Sequence, residues 1–310
     1  MSIDTNLRID AALIKSKIID SISSKLKQRD ISGLVVLFSD CVESLINVHI
    51  AKEIVGYENV NLLVTRGRFI YKAPKEKMSV KEINQFIDLP EENIKFINME
   101  GALREIRRIF YEKEPIFHDT SPLLNYNLSY FLLRSMAATE IEEKTFIPPI
   151  KRPSTSRERF IQKTIAYHKS QIRLSVLLAF LLAETENRSV IGSTNKTEWL
   201  LGFFTKFGTY HACDFLPLAN LYRTQVIQLA EHLKLQKFLT TKEFKRPPAY
   251  NFFFGLNSKE VDQILVRLES GFTVQEVLHE TSFSLEAIEK VAFYYQASNY
   301  ARSVPYIPIF

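Results

Sequence analysis

Ser39-Asp40-Cys41-Val42-Glu43-Ser44 joins a short apolar run, Leu34 to Phe38, to a helical stretch that ends near Val55. The segment carries two hydroxyls, two carboxylates and a thiol within six residues. A thiol at a helix N-terminus has a lowered pKa and can act as a nucleophile, so Cys41 is one candidate for chemistry; a small buried hydrophobe is its other role. A plain strand–turn–helix with no ligand is the alternative reading of the whole segment. Arg173, in Gln171-Ile172-Arg173-Leu174, offers a guanidinium fork that suits phosphate or carboxylate, or else forms a surface salt bridge. Glu198 stands near the start of a predicted helix, where the helix dipole favours a carboxylate. His49, His118, His168, His211, His232 and His279 make no metal-ligand spacing and are read as structural or surface residues.

The elements that position these residues alternate. Ile9, Leu13, Ile18, Ile22 and Leu26 recur at near-helical spacing and predict an amphipathic helix over 6–29, broken by Ser32-Gly33. Leu34 to Phe38 is a continuous apolar run bounded by turn residues, as expected of a strand buried on both faces of a parallel sheet. Further strands are predicted at Val60 to Thr65, Ile94 to Ile97 and Ser189 to Gly192. Helices are predicted over 79–88, 100–112, 124–138, 158–185 and 222–234, with a loop then a helix over 193–204. Residues 66–78 read as a basic loop, and prolines make 113–160 the least regular part of the chain. After Lys245-Arg246-Pro247-Pro248 the character changes to short helices, over 257–268, 273–279 and 284–297, and a proline-rich tail. We expect an α/β fold of residues 1–245, with a helical C-terminal region over 246–310 of the same domain. Its doubly wound parallel sheet is flanked by helices, with ligands at the carboxyl ends of the strands. Tyr250 to Phe254 reads either as core or as an exposed aromatic patch for a partner.

Composition narrows the classes. The chain has 310 residues, 46% of them hydrophobic, enough for one large core or two modest ones. A net charge of +5 is mild and spread along the sequence; no dense basic run with interleaved aromatics argues for nucleic acid. Two cysteines, Cys41 and Cys213, build no disulfide framework, so a reducing, cytoplasmic compartment is expected. Met1 to Asp10 lacks a signal-peptide pattern, and the longest strongly apolar run, Leu174 to Ala183, is too short to span a bilayer.

The most specific pattern is Val190-Ile191-Gly192-Ser193-Thr194-Asn195-Lys196-Thr197-Glu198, followed by Leu201-Gly202-Phe203-Phe204-Thr205-Lys206-Phe207-Gly208 and by Cys213-Asp214-Phe215-Leu216-Pro217-Leu218-Ala219-Asn220-Leu221-Tyr222-Arg223-Thr224-Gln225-Val226. It resembles the conserved segments of the ammonia-dependent NAD synthetase family, within the N-type ATP pyrophosphatase superfamily. The resemblance implies an adenine nucleotide alpha-hydrolase-like fold and a homodimer with the dinucleotide at the subunit boundary. It also implies a cleft for ATP, magnesium and deamido-NAD. In that family the nicotinate carboxylate is adenylated by ATP, and ammonia then displaces AMP.

Residue by residue, the resemblance assigns Ser39, Ser44 and Ser193 to the nucleotide, Glu43 and Glu198 to magnesium, and Arg173, Lys206 and Asp214 to the dinucleotide. Arg223 stands where the family has a lysine that contacts ATP phosphates and stabilises charge in the transition state. The family's phosphate loop is S-G-G-x-D-S; here Asp40 and Cys41 replace its glycines, so a negative side chain stands where phosphate would approach. Arg223 keeps the lysine's charge with a different shape, Pro248 lacks a family hydroxyl, and the tail Tyr300-Ala301-Arg302 lacks a His-Lys pair. Two functions follow. One is a catalytically inactive or altered paralogue acting by dinucleotide binding or assembly. The other is an active synthetase that converts deamido-NAD, ATP and ammonia to NAD, AMP and pyrophosphate. A different ATP-pyrophosphatase reaction on the same fold is a third possibility.

Overall fold

The computed structural model describes residues 7–38, 41–66, 80–111, 156–208, 211–240 and 249–303. The first helix, α1 (Ala11–Arg29), starts where the Asp10 carboxylate accepts the Leu13 N–H at 3.0 Å, five residues later than the periodicity predicts. Capping sets that boundary: the side chain satisfies an N–H that has no partner inside the helix. Asp30 closes the helix in a left-handed conformation at φ 54°.

Four strands follow the predicted runs: β1 (Gly33–Phe38), β2 (Val60–Arg66), β3 (Ile94–Asn98) and β4 (Arg188–Ile191). All pair in parallel, in the order β3-β2-β1-β4. Gly33 is required by close packing, since a Cβ there would lie 2.5 Å from the Asn59 carbonyl oxygen of the neighbouring chain segment.

Alternation along β1 sorts its side chains between two layers. Leu34, Val36 and Phe38 pack with α1 and α2 (Val42–Val55) on one face. Val35 and Leu37 face the other side, where Val176, Ala179 and Ala183 of a long helix, α5 (Ser156–Thr185), cover them. The i, i+3, i+7 spacing of those three residues places them on one helical stripe. Each large aliphatic side chain buried this way contributes about 1.5–3 kcal/mol. Between β2 and α5 lie α3 (Val80–Ile87) and α4 (Glu100–Tyr111). Helices on both faces of the sheet confirm the doubly wound arrangement.

The helices after β4 are short: α6 (Lys196–Leu201), α7 (Arg223–His232), α8 (Gln236–Thr240), α9 (Ala249–Phe254), α10 (Ser258–Glu269), α11 (Val274–Glu280), α12 (Leu285–Ala297) and α13 (Asn299–Arg302). Asn257 and Thr273 each open a helix with a reciprocal capping box, which explains how such short segments hold their ends. Helices α7 and α8 pack into the first core, while apolar faces of α6, α9, α10, α11 and α12 form a second core that also takes in Leu7 and Tyr222. Tyr250 and Phe254 of α9 are buried in it, against Phe203 and Tyr294, so this aromatic segment is core. Helices α8 and α9 were not anticipated, because five and six residues are too few to display a period. The helix expected over 124–138 lies outside the described residues, as does most of the basic loop over 66–78. Among the described residues no helix is long and apolar enough to cross a membrane.

Candidate functional site

The strand order reverses direction between β1 and β4, and in open α/β sheets ligands gather at the carboxyl ends of the strands flanking such a point. Ser39 and Asp40, which follow β1 directly, lie outside the described residues. Cys41 is the extended residue that opens α2, and its carbonyl accepts the Ser44 hydroxyl at 2.8 Å. Ser44 is fully buried. Across the switch point, the Asn47 side-chain amide of α2 donates to the Gly192 carbonyl at 2.9 Å and to the Ser193 hydroxyl at 3.2 Å. Helix α2 is thereby tied to the segment that follows β4. The Asn47 carbonyl oxygen is buried with no partner among the described residues.

Glu43 is next to Ser44 and only 1% exposed. Its Oε1 accepts two hydrogen bonds, one from the Asn195 amide at 2.9 Å and one from the Arg223 guanidinium. Asn195 is held in orientation at its other end, where its Oδ1 caps α6 by accepting the Glu198 N–H at 3.0 Å. Arg223 is the first residue of α7, and its backbone N–H donates to the Thr197 hydroxyl at 2.8 Å. Burial works to raise the Glu43 pKa, but the adjacent Arg223 charge and the hydrogen bonds outweigh it and hold the carboxyl ionised. For Arg223, burial works against the charged form and the Glu43 carboxylate more than restores it. Glu198 is pushed up to about 8, first by burial and then by the Glu43 charge, with Arg223 acting in the opposite direction. Near neutral pH the centre therefore holds one anion, one cation and a carboxyl that favours its neutral form.

That arrangement does not fit a divalent cation. Magnesium takes six oxygen ligands in a near-ideal octahedron. The Oε1 of Glu43 is already committed to Asn195 and Arg223.

Asp262 of α10 escaped notice in the sequence. It is fully buried, and it supports the centre from behind. Its Oδ1 accepts the Thr197 hydroxyl at 2.6 Å; its Oδ2 accepts the Thr224 N–H at 2.8 Å and the Thr224 hydroxyl at 2.6 Å. Burial raises it to about 6, while these hydrogen bonds pull the other way. The signal available was a carboxylate among Val261, Ile264 and Leu265 in a predicted helix. Farther out, Glu269 accepts the Tyr222 hydroxyl and pairs with Lys196 at 2.8 Å.

The other assigned residues make two sets of contacts. Arg173 donates from Nε and Nη2 to the Lys206 carbonyl, at 3.2 and 2.9 Å. Lys206 in turn donates from Nζ to the Tyr300 carbonyl at 2.8 Å and lies 4.1 Å from the centre of the Tyr300 ring. Asp214 makes different contacts: its Oδ2 accepts the Val190 N–H of β4 at 2.8 Å, and its Oδ1 is 3.8 Å from Arg29 at the end of α1. Of the two cysteines, Cys213 is pushed up to about 12 by burial, which makes its thiol inert. Pro248 and the tail beyond Ser303 lie outside the described residues.

A parallel sheet with this strand order, covered by helices on both faces and with its polar residues gathered where the order reverses, defines an α/β protein of the adenine nucleotide alpha-hydrolase-like fold. A profile of the NAD synthase family matches residues 135–305, more than half of the chain, and the chain belongs to that family. The NH(3)-dependent NAD(+) synthetase of Thermotoga maritima is 25% identical over 302 residues, covering 94% of this chain and 98% of that protein. Among solved structures, the NH3-dependent NAD synthetase of Campylobacter jejuni, in complex with nitrate, superposes with a TM-score of 0.60 at 20% identity, over 97% of this chain and all of that one. The NMN synthetase of Francisella tularensis gives a TM-score of 0.56 at 20% identity, over 98% of this chain and all of that one.

Proposed function

We propose that this chain is an NAD-synthetase-like protein with an altered ATP site, a paralogue that acts by binding a dinucleotide of the deamido-NAD or NAD type, or by assembly as a homodimer, and not by ATP-dependent amide formation. One observation carries the reading: the Arg223 guanidinium is paired with the buried Glu43 carboxylate, so the cation that would meet ATP phosphates is turned onto a protein anion. Removing it from Glu43 would leave a buried carboxylate without its main counter-charge, which costs about 3–5 kcal/mol. The sequence adds that Asp40 replaces a glycine of the family's phosphate loop. Arg173 and Lys206, which the resemblance assigns to the dinucleotide, lie together beside Tyr300.

The second reading, an active synthetase using ATP and magnesium, is favoured by the similarity to ammonia-dependent synthetases across nearly the whole chain. The two separate cleanly. Calorimetric titration of the purified full chain with deamido-NAD and with NAD, beside an assay for NAD formation from deamido-NAD, ATP, magnesium and ammonia, decides between them. Dinucleotide binding without NAD formation is the expected result. NAD formation that depends on ATP overturns it. The cytoplasm is the proposed location.

A further inference from the structure

We propose that Arg223 is the resident cation of this site, standing in for a divalent metal ion, so that the chain binds neither magnesium nor manganese between Glu43 and Glu198. This deepens the reading above and rests on the same site, but it is tested without any nucleotide. The geometry is that of a built support. The Arg223 backbone is pinned to the Thr197 hydroxyl at 2.8 Å. Thr197 and the next residue, Thr224, are both held by the buried Asp262 carboxylate. The Arg223 backbone, at the start of α7, is therefore anchored through α6 and α10, and its side chain reaches Glu43.

The Glu43 oxygen that receives Arg223 also receives Asn195 at 2.9 Å, so its hydrogen-bonding capacity toward the site is filled by protein donors. A metal ion at this oxygen would have to displace the Arg223 guanidinium, whose backbone is anchored by Thr197. A planar guanidinium is suited to this role, because it is always charged, carries five donors in a fixed fork, and is less strongly hydrated than an ammonium. Among the described residues, the charged and titratable groups that act on it are Glu43, Glu198, Tyr250 and Asp262, and none of these is a cation. One arginine thus supplies the positive charge that two acidic side chains would otherwise draw from solution.

The test is a manganese titration of the nucleotide-free full chain, following the free-ion signal by electron paramagnetic resonance. The wild type is expected to take up no manganese that depends on Glu43. Arg223→Gln is expected to raise manganese affinity by about tenfold or more, and adding Glu43→Gln is expected to abolish the gain. Should Arg223→Gln fail to fold, Arg223→Lys decides, since a lysine keeps the charge yet can swing away from Glu43. Manganese uptake by the wild type that Glu43→Gln removes overturns the proposal, and so does a folded Arg223 variant that gains no manganese. Failure of dinucleotide binding in the calorimetric titration would leave this result standing, and the reverse is equally true.

Discussion

Asp262 and Thr224 meet at the first turn of α7, where one carboxylate oxygen accepts both the Thr224 backbone N–H, at 2.8 Å, and its hydroxyl, at 2.6 Å. The other oxygen accepts Thr197. A helix N-terminus with unpaired N–H groups is thus satisfied by a side chain from the C-terminal helices. Asp262→Ala strands two hydroxyls and a backbone N–H in the interior, and is expected to destabilise the chain by about 3 kcal/mol, read as a lower denaturant midpoint. Asp262→Asn keeps an acceptor and is expected to lose less. An Asp262→Ala protein as stable as the wild type would remove Asp262 from the framework.

The same residue gives a pH signature. Its folded pKa of about 6 lies above the ordinary value of 3.8, so between those values the native state holds a proton that the unfolded chain releases. Stability from this group is complete at low pH and is lost as pH rises through about 6. With Asp262→Asn as the reference that cannot titrate, the wild type should lose stability relative to the variant between about pH 4 and 6 and level off above. A difference that is flat, or that rises with pH, contradicts the assignment.

Gly33→Ala tests the packing of the sheet against the turn before β2. The added methyl would stand 2.5 Å from the Asn59 carbonyl oxygen and 2.6 Å from an Arg188 nitrogen. The arginine can move but the backbone oxygen cannot do so easily, so a loss of about 1–3 kcal/mol is expected. Chemical denaturation reads it, with an unchanged dependence on denaturant concentration showing that the unfolded state is not what changed.

Arg173, Lys206 and Asp214 are separable by experiment. Lys206→Ala should weaken deamido-NAD binding by about tenfold or more, because it removes a charge that can meet phosphate or carboxylate. Asp214→Ala should leave that affinity unchanged and lower stability by about 1–2 kcal/mol, since it strands the Val190 N–H. Equal loss of affinity in both variants would place Asp214 with Lys206 in the binding site.

The sheet was legible because strands buried on both faces read as unbroken apolar runs, and Leu34 to Phe38 is such a run. The site was legible in part through the resemblance, which brought Glu43, Glu198 and Arg223 into one cleft. That Arg223 would close onto Glu43, 180 residues away in sequence, depended on the distance between two helix ends, which no local pattern encodes. Asp262 was missed for a related reason: a carboxylate among Val261, Ile264 and Leu265 signals burial, but not which groups would pair with it. The expectation for Tyr250 to Phe254 stayed open because an aromatic run has no polarity to tell core from surface; Phe203 and Tyr294, which enclose it, come from distant segments.

The most direct test is calorimetric titration of the full chain with ATP in the presence of magnesium, with Arg223→Lys alongside. With Arg223 locked on Glu43, the wild type should give no binding heat, and the lysine variant should recover measurable heat. Tight binding of ATP and magnesium by the wild type would contradict the proposed role of Arg223 at its centre.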